Sequence, residues 1–456
     1  MTAMSWQRLL SRRRLGTAFA DDAAGPRTDF QRDFDRIVFS SAFRRLQDKT
    51  QVFPLAKSDY VRTRLTHSME VASVGRSLGA LAGKAVLKKH PALSEDVTEA
   101  DFGSIVAAAC LAHDIGNPPF GHAGESAIQE WFTQSTLGRS ILDKLAPSQS
   151  QDFERFEGNA QGFRTICRLQ NLENPGGMQL TCATLGAFTK YPRASHVSGA
   201  PLAGVSGKKH GFVNDDRELF ETVAHEVGLL TRPGCTHAWF RHPLSFLVEA
   251  ADDICYRIID VEDGFRTGHL DYSEVEHLFF AIVTDSGARK RAGEIRSQEK
   301  RVEYLRAKAI NALVMEAQAV FCALEEDILR GAFDADLIGE IPHSGALKAF
   351  GELGQRKVYQ SRPVFEIEAP GFSVLGSLME AFVGAANEVA GKETAAGSHS
   401  RSLFGLIPSQ FLGPDRTPDA DLYRRVLQVT DYVAGMTDSY AVDLFRKVRG
   451  MALTSR

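Results

Sequence analysis

Residues 105–125 read IVAAACLAHDIGNPPFGHAGE. The first eight positions are small or apolar, the composition of a helix buried on almost every side. Gly116-Asn117-Pro118-Pro119 stops it, because proline cannot donate to the helix ladder and drives the preceding residue toward extended geometry. The polar pair His113-Asp114 therefore falls at the C-terminal end of a buried helix. In a chain with 13 histidines a His-Asp dipeptide is unremarkable; its position is informative. A second helix is expected from about residue 66 to 84, with Thr66 as N-cap and His67, Val71, Val74, Leu78 and Leu81 along one face. A third is expected over 243–263, containing SFLVEAADDICYRIIDVEDG (245–264). On it Asp252 shares a face with Val248, Cys255 and Ile259, whereas Asp253 lies with Glu249, Tyr256 and Asp260. A carboxylate among apolar residues is costly unless paired or metal-bound, so Asp252 is the candidate ligand and Asp253 reads as a polar-face residue.

Further helical patterns cover 30–47, 124–133, 159–171, 300–330, 374–391 and 420–447. Alternating runs are short and few, 363–367 being the best strand candidate. The fold class is all-α, or mainly α, without internal repeats. Residues 1–29 read as a loosely ordered N-terminus. A helical core follows over 30–265, with its His-Asp motif region at 62–198, and 266–456 read as a helical C-terminal region packed on it. The run HVSGAPLAGVSGKKHG (196–211) is rich in Gly and Ser and reads as a mobile loop.

The 456 residues carry 53 Lys+Arg against 57 Asp+Glu, a net charge of -4, so any grip on nucleic acid must be local. The basic clusters Arg44-Arg45, Lys208-Lys209 and Arg289-Lys290-Arg291 are the candidate faces for an allosteric nucleotide or single-stranded DNA, against the ordinary reading of a solvated surface. Six scattered cysteines without a CxxC pair argue against a zinc ribbon or disulfide scaffold and for reduced thiols in the cytoplasm. No apolar run approaches the ~18 residues that span a bilayer. Arg12-Arg13-Arg14 follow Leu9-Leu10, the reverse of a secretory signal.

Two imidazoles and two carboxylates make a mixed N/O site suited to one divalent ion such as Mn, Mg, Co, Ni or Fe, with positions left for water. The strings RTRLTHSMEVASVGRSLG (62–79), AHDIGNPPFGHAGE (112–125), FEGNAQGFR (156–164) and EAADDICYRIID (249–260) resemble the HD-domain metal phosphohydrolases, and more narrowly the deoxyguanosinetriphosphate triphosphohydrolase (dGTPase-like) family. RDFDRIVFSSAFRRLQDKTQVFP (32–54) and VTDYVAGMTDSYA (429–441) resemble the same branch. The resemblance implies that His67, His113, Asp114 and Asp252 bind one metal ion. It implies that His122 transfers a proton near the α-phosphate, with Glu125 one turn on to orient the imidazole. Arg64 is implied to meet the nucleotide, Asn117 and Lys190 its phosphates, Gln51 and Asp260 the sugar 3′-hydroxyl, and Tyr256 the deoxyribose face. It further implies a deoxynucleoside triphosphate substrate and a homo-oligomer, a hexamer or tetramer. The rival readings are another HD-type phosphatase or phosphodiesterase and a non-enzymatic nucleotide or single-stranded-DNA sensor.

Overall fold

The computed structural model describes residues 3–17, 25–51, 62–199, 202–391, 396–412 and 415–451; residues 52–54 of the upstream string and 200–201 of the glycine-rich run lie outside these. Among the described residues every regular element is helical, and extended segments meet only in isolated pairings such as Arg14 with Thr181.

The motif sits on two helices, Arg64–Lys89 and Glu99–Ala112, that pack side by side. Gly75, Gly79 and Gly83 form one row along the first. A Cβ there would lie 2.4 Å from Cys110 Sγ, 2.7 Å from the Phe102 carbonyl and 2.7 Å from Phe102 Cβ, respectively. The row lets the two backbones approach closely, which is what brings His67 and His113 together. The first helix begins two residues earlier than expected: Thr63 is the N-cap, and Thr66 accepts a hydrogen bond from the Thr63 N–H at 3.1 Å. The third helix, Pro243–Arg266, packs against both. Proline at its first position loses no helical bond, and His242 caps it by accepting from the Leu244 N–H at 3.1 Å.

Two apolar clusters make the core. One gathers these three helices with Gln298–Leu329 and reaches from Met4 to Val364. The other joins Gly121–Gln134 to Arg362–Gly391, Leu422–Ala434 and Asp438–Val448. Neither follows a cut at residue 265.

Several expectations are corrected. The N-terminus is packed, not loose, over its described part: Trp6, Leu9, Leu10 and Leu15 are buried, Trp6 Nε1 donates to Glu325 at 2.8 Å, and Arg14 pairs with Asp33 at 2.7 Å. The 30–47 pattern is broken between Asp29–Val38 and Ser41–Arg45, because Ser40 starts a new helix by accepting from the Phe43 N–H. The strand candidate at 363–367 lies in the helix Arg362–Gly391. The 159–171 helix ends at Arg164 and continues as a π turn, and 420–447 divides into two helices around Gly435. The described part of the 196–211 loop is anchored: Ser206 donates to Asp334 at 2.9 Å and His210 is buried. Two helices, Gln298–Leu329 and Val364–Gly391, each contain an 18-residue window of mean hydropathy 1.3, contrary to the expectation of no membrane-length stretch. Both pack within the bundle, where Leu305, Leu313, Phe321, Leu378 and Phe382 are fully buried.

His242 also ties the N-terminus down, with Nε2 3.0 Å from the Leu9 carbonyl. Burial pushes this imidazole down to about 4. A histidine depressed on folding binds its proton more readily in the unfolded chain, so its contribution is complete above the ordinary value of ~6.5 and is lost as pH falls toward 4. Wild-type stability in urea should therefore fall across that window by roughly 3 kcal/mol more than that of His242→Asn. Parallel pH dependence of the two proteins would contradict this.

Candidate active site

His67 lies on the fourth residue of its helix and is buried. Its Nε2 stands 3.1 Å from Asp252 Oδ1, and its ring meets that of His113 edge-on at 5.3 Å between centroids. His113 caps the Glu99–Ala112 helix, and its Nδ1 is 2.7 Å from the Cys110 carbonyl. Since a carbonyl only accepts, that contact places the proton on Nδ1 and leaves the Nε2 lone pair facing the site. This Nε2 is 3.5 Å from both Asp252 Oδ1 and Asp114 Oδ1. One ligand atom each from His67, His113 and Asp252 falls within 4.8 Å of the others. Asp114 stands beside this trio, not within it: Arg64 donates to its Oδ2 at 2.9 Å and Asn117 to its Oδ1.

The electrostatics favour a cation at this point. Burial opposes ionisation of Asp114, but Arg64, His113 and His67 outweigh it and hold the group down at about 2. Burial likewise opposes ionisation of Asp252, and His113 and His67 overcome it, keeping this carboxyl well below the usual range. Burial lowers His67, yet the hydrogen bond to Asp252 and the nearby carboxylate charges raise it overall.

These groups open on a cavity of about 800 Å³, lined by every expected site residue except Asp260. His122 is exposed, on the second residue of the Gly121–Gln134 helix. Its ring opens on the cavity, where the surrounding protein partly desolvates it and lowers its pKa, and the cations of Arg64 and Lys209 lower it further. Glu125 does not take up the orienting contact expected of it: its Oε1 accepts from the Gly158 N–H at 2.7 Å, and its other oxygen is 4.0 Å from Lys209 Nζ. Lys190 lines the cavity while paired with Glu249 at 3.1 Å. Tyr256 stacks on Tyr359 at 5.6 Å and 13°. Asp260 is buried behind this pair, not at the wall, and accepts from the Tyr359 hydroxyl; among the described residues its Oδ1 has no hydrogen-bond partner, nor has the buried Gln51 Oε1.

Sequence reasoning missed two contributions. Lys209, treated as part of a solvated basic cluster, faces the cavity between Glu157, at 3.0 Å, and Glu125. The segment 355–368 supplies Gln355, Tyr359, Gln360, Val364, Phe365 and Glu368 to the wall. Helical spacing of Val364, Phe365 and Glu368 was its one available signal, and the strand reading concealed it.

Residues 64–168 match the HD domain family and residues 406–447 the phosphohydrolase-associated domain. The chain is 45% identical to a deoxyguanosinetriphosphate triphosphohydrolase-like protein of Synechocystis sp., over 99% of this chain and all of that one. It is 41% identical to a protein of the same description from Pseudomonas aeruginosa, again over 99% of this chain and all of the relative. The chain belongs to the deoxyguanosinetriphosphate triphosphohydrolase-like family. A deoxyguanosinetriphosphate triphosphohydrolase of Yersinia enterocolitica is 32% identical over 92% of this chain and 93% of its own. As an HD-domain member of this family the protein is a metal-dependent phosphohydrolase, and the geometry of His67, His113 and Asp252 accords with that class. The associated domain returns to the HD core through Asp431, which holds Arg164 at 2.8 Å, and through Asp438.

Proposed function

We propose that this protein hydrolyses deoxynucleoside triphosphates, dGTP or other dNTPs, to deoxynucleoside and tripolyphosphate with one divalent ion per site. The observation that carries this reading is the convergence of His67, His113 and Asp252 in the cavity on which His122 and three cationic side chains also open. The donor set suits Mn, Mg, Co, Ni or Fe, held by the trio with Asp114 as fourth ligand. When bound, such an ion polarises phosphoryl oxygens and acidifies water.

The remaining steps belong to the chain's own side chains. Arg64, Lys190 and Lys209 set positive charge along the cavity for the triphosphate, and Asn117 stands beside them. A water oxygen bonds to the α-phosphorus as the bond to the sugar 5′-oxygen breaks; that oxygen takes a proton from His122, and the proton released by the attacking water passes to solvent. The depressed pKa of the free imidazole comes from burial and then from Arg64 and Lys209. Triphosphate arriving among those cations offsets them and favours the protonated acid. Tyr256, backed by Tyr359, packs on the deoxyribose, where a 2′-hydroxyl would collide with the ring. Gln51, with its unpartnered Oε1, meets the 3′-hydroxyl, and Asp260 acts through Tyr359. Glu125 braces the His122 helix against Gly158.

A cytoplasmic setting fits six free cysteines. The family resemblance supports a homo-oligomer, tetramer or hexamer. The runs Arg44-Arg45 and Arg289-Lys290-Arg291 are the remaining candidate faces for a regulatory nucleotide or single-stranded DNA, since Lys209 turns inward.

Chromatography of products from each dNTP with Mn or Mg tests the reading: equimolar deoxynucleoside and tripolyphosphate are expected, and orthophosphate, pyrophosphate or no turnover would overturn it. His122→Ala should bind Mn as wild type does while turnover falls by about two orders of magnitude. Unchanged turnover would remove His122 from the mechanism.

A further inference from the structure

The turn that delivers His122 is backbone-strained. Phe120 has φ 64° and Gly121 φ 60°, consecutive residues in the left-handed region. A Cβ on Gly121 would lie 2.7 Å from Arg64 Nη2, and its φ of 60° favours glycine. Phe120 is not glycine, and a non-glycine residue in this region costs of order 1–3 kcal/mol unless its surroundings over-determine it. The over-determining contact comes from the far end of the chain. Asp438 is 1% exposed; its Oδ1 accepts from the Phe120 N–H at 2.9 Å. Its Oδ2 accepts from the Thr50 N–H at 3.0 Å and from the Thr50 hydroxyl at 2.6 Å. One carboxylate thus grips the residue two before His122 and the residue one before Gln51. Lys49 reinforces the tie by donating to the carbonyls of Ala434, at 3.2 Å, and Asn117.

We propose that Asp438, on the C-terminal helix Asp438–Val448, is a positioning residue that sets the register of His122 against the metal-ligand trio. It does not line the cavity and acts only through Phe120 and Thr50. This deepens the proposed triphosphohydrolase function and rests on it for the catalytic part. It gives the associated domain a task beyond packing: the domain holds the acid/base histidine's turn in a strained conformation that the HD segment does not stabilise alone.

The test uses the full-length protein and two variants. Asp438→Asn keeps the shape but can accept at one oxygen only, so either the Phe120 or the Thr50 tie is lost. Thr437→Ala removes the hydroxyl that accepts from the Tyr440 N–H at 3.3 Å, weakening the same helix start without touching Phe120 or Thr50. With Mn and dNTP, Asp438→Asn should lose about ten-fold in kcat, while KM and substrate-free Mn affinity stay within about two-fold. Thr437→Ala should keep the wild-type kcat despite a lower melting temperature. Placement is read separately by the rate at which diethyl pyrocarbonate modifies His122, followed by mass spectrometry. That rate should change several-fold in Asp438→Asn alone. An unchanged rate in Asp438→Asn, or equal changes in both variants, overturns the proposal. A changed rate in Asp438→Asn alone, with no tripolyphosphate from the wild type, upholds the placement and overturns the substrate reading instead.

Discussion

Asp252→Asn is expected to lose metal binding and, with it, about three orders of magnitude or more of turnover. The reasoning starts from charge. Asp252 Oδ1 faces both imidazoles, 3.1 Å from His67 Nε2 and 3.5 Å from His113 Nε2. The amide is nearly isosteric, so packing on the Pro243–Arg266 helix survives, but it removes the negative charge that completes the trio. It also turns either a neutral carbonyl or an NH₂ toward two nitrogens whose lone pairs a cation needs. Asp114 does not substitute, because as fourth ligand it already has its own place beside the trio, fixed there by Arg64 and Asn117. Titration of the purified variant with Mn, followed by electron paramagnetic resonance, should show wild-type affinity lost with helix content retained. Wild-type Mn affinity in Asp252→Asn would mean that the ion, if bound at all, sits elsewhere.

The second large effect is on stability. Arg164 is buried where the HD core meets the associated domain, with Nε 2.9 and 2.8 Å from the two oxygens of Asp431. Its Nη1 reaches Asp216 at 3.1 Å and Asp215 at 3.2 Å. Burial alone would lower this guanidinium, and the three carboxylates overcome it and raise it well above its ordinary value. Asp216 and Asp215 keep Arg168 and Arg424, but removing the cation leaves the buried Asp431 carboxylate without one, so Arg164→Met should destabilise the protein by about 3–5 kcal/mol. Arg164→Lys should recover only part of this, since a point charge does not reproduce the fork that spans three acids. Asp431→Asn added to Arg164→Met should be less destabilised than Arg164→Met alone, which separates stranded charge from lost packing. Urea denaturation checks the series. Wild-type stability in Arg164→Met would show that this junction contributes nothing.

How much of this was legible in the sequence follows from what each feature depends on. His67, His113 and Asp252 could be found because each is a polar residue at a set place on an apolar helical stripe, a pattern that survives without coordinates. Asp114 was expected among the metal ligands; its engagement by Arg64 and Asn117 depends on how the Gly116-Asn117 turn folds back. Lys209 was illegible: a lysine in a Gly- and Ser-rich run looks solvated until the fold presents Glu157 and Glu125 to it. Glu125 shows the limit of i, i+3 reasoning, since a backbone N–H brought by the Gly158–Arg164 helix takes the carboxylate that the imidazole was expected to hold. The strand reading of 363–367 rested on a short alternating run, whereas the helix runs through Pro370 with Val374, Leu378 and Phe382 buried on one face. The N-terminus was misread because four apolar anchors, scattered among arginines, carry no period.

The most direct test of the central claim is hydrolysis of a dNTP by the Mn-loaded protein in ¹⁸O-labelled water, with both products analysed by mass spectrometry. Attack on the α-phosphorus with departure of the 5′-oxygen predicts one ¹⁸O in the tripolyphosphate and none in the deoxynucleoside. Label in the deoxynucleoside hydroxyl, or in orthophosphate released stepwise from the γ-end, would contradict it.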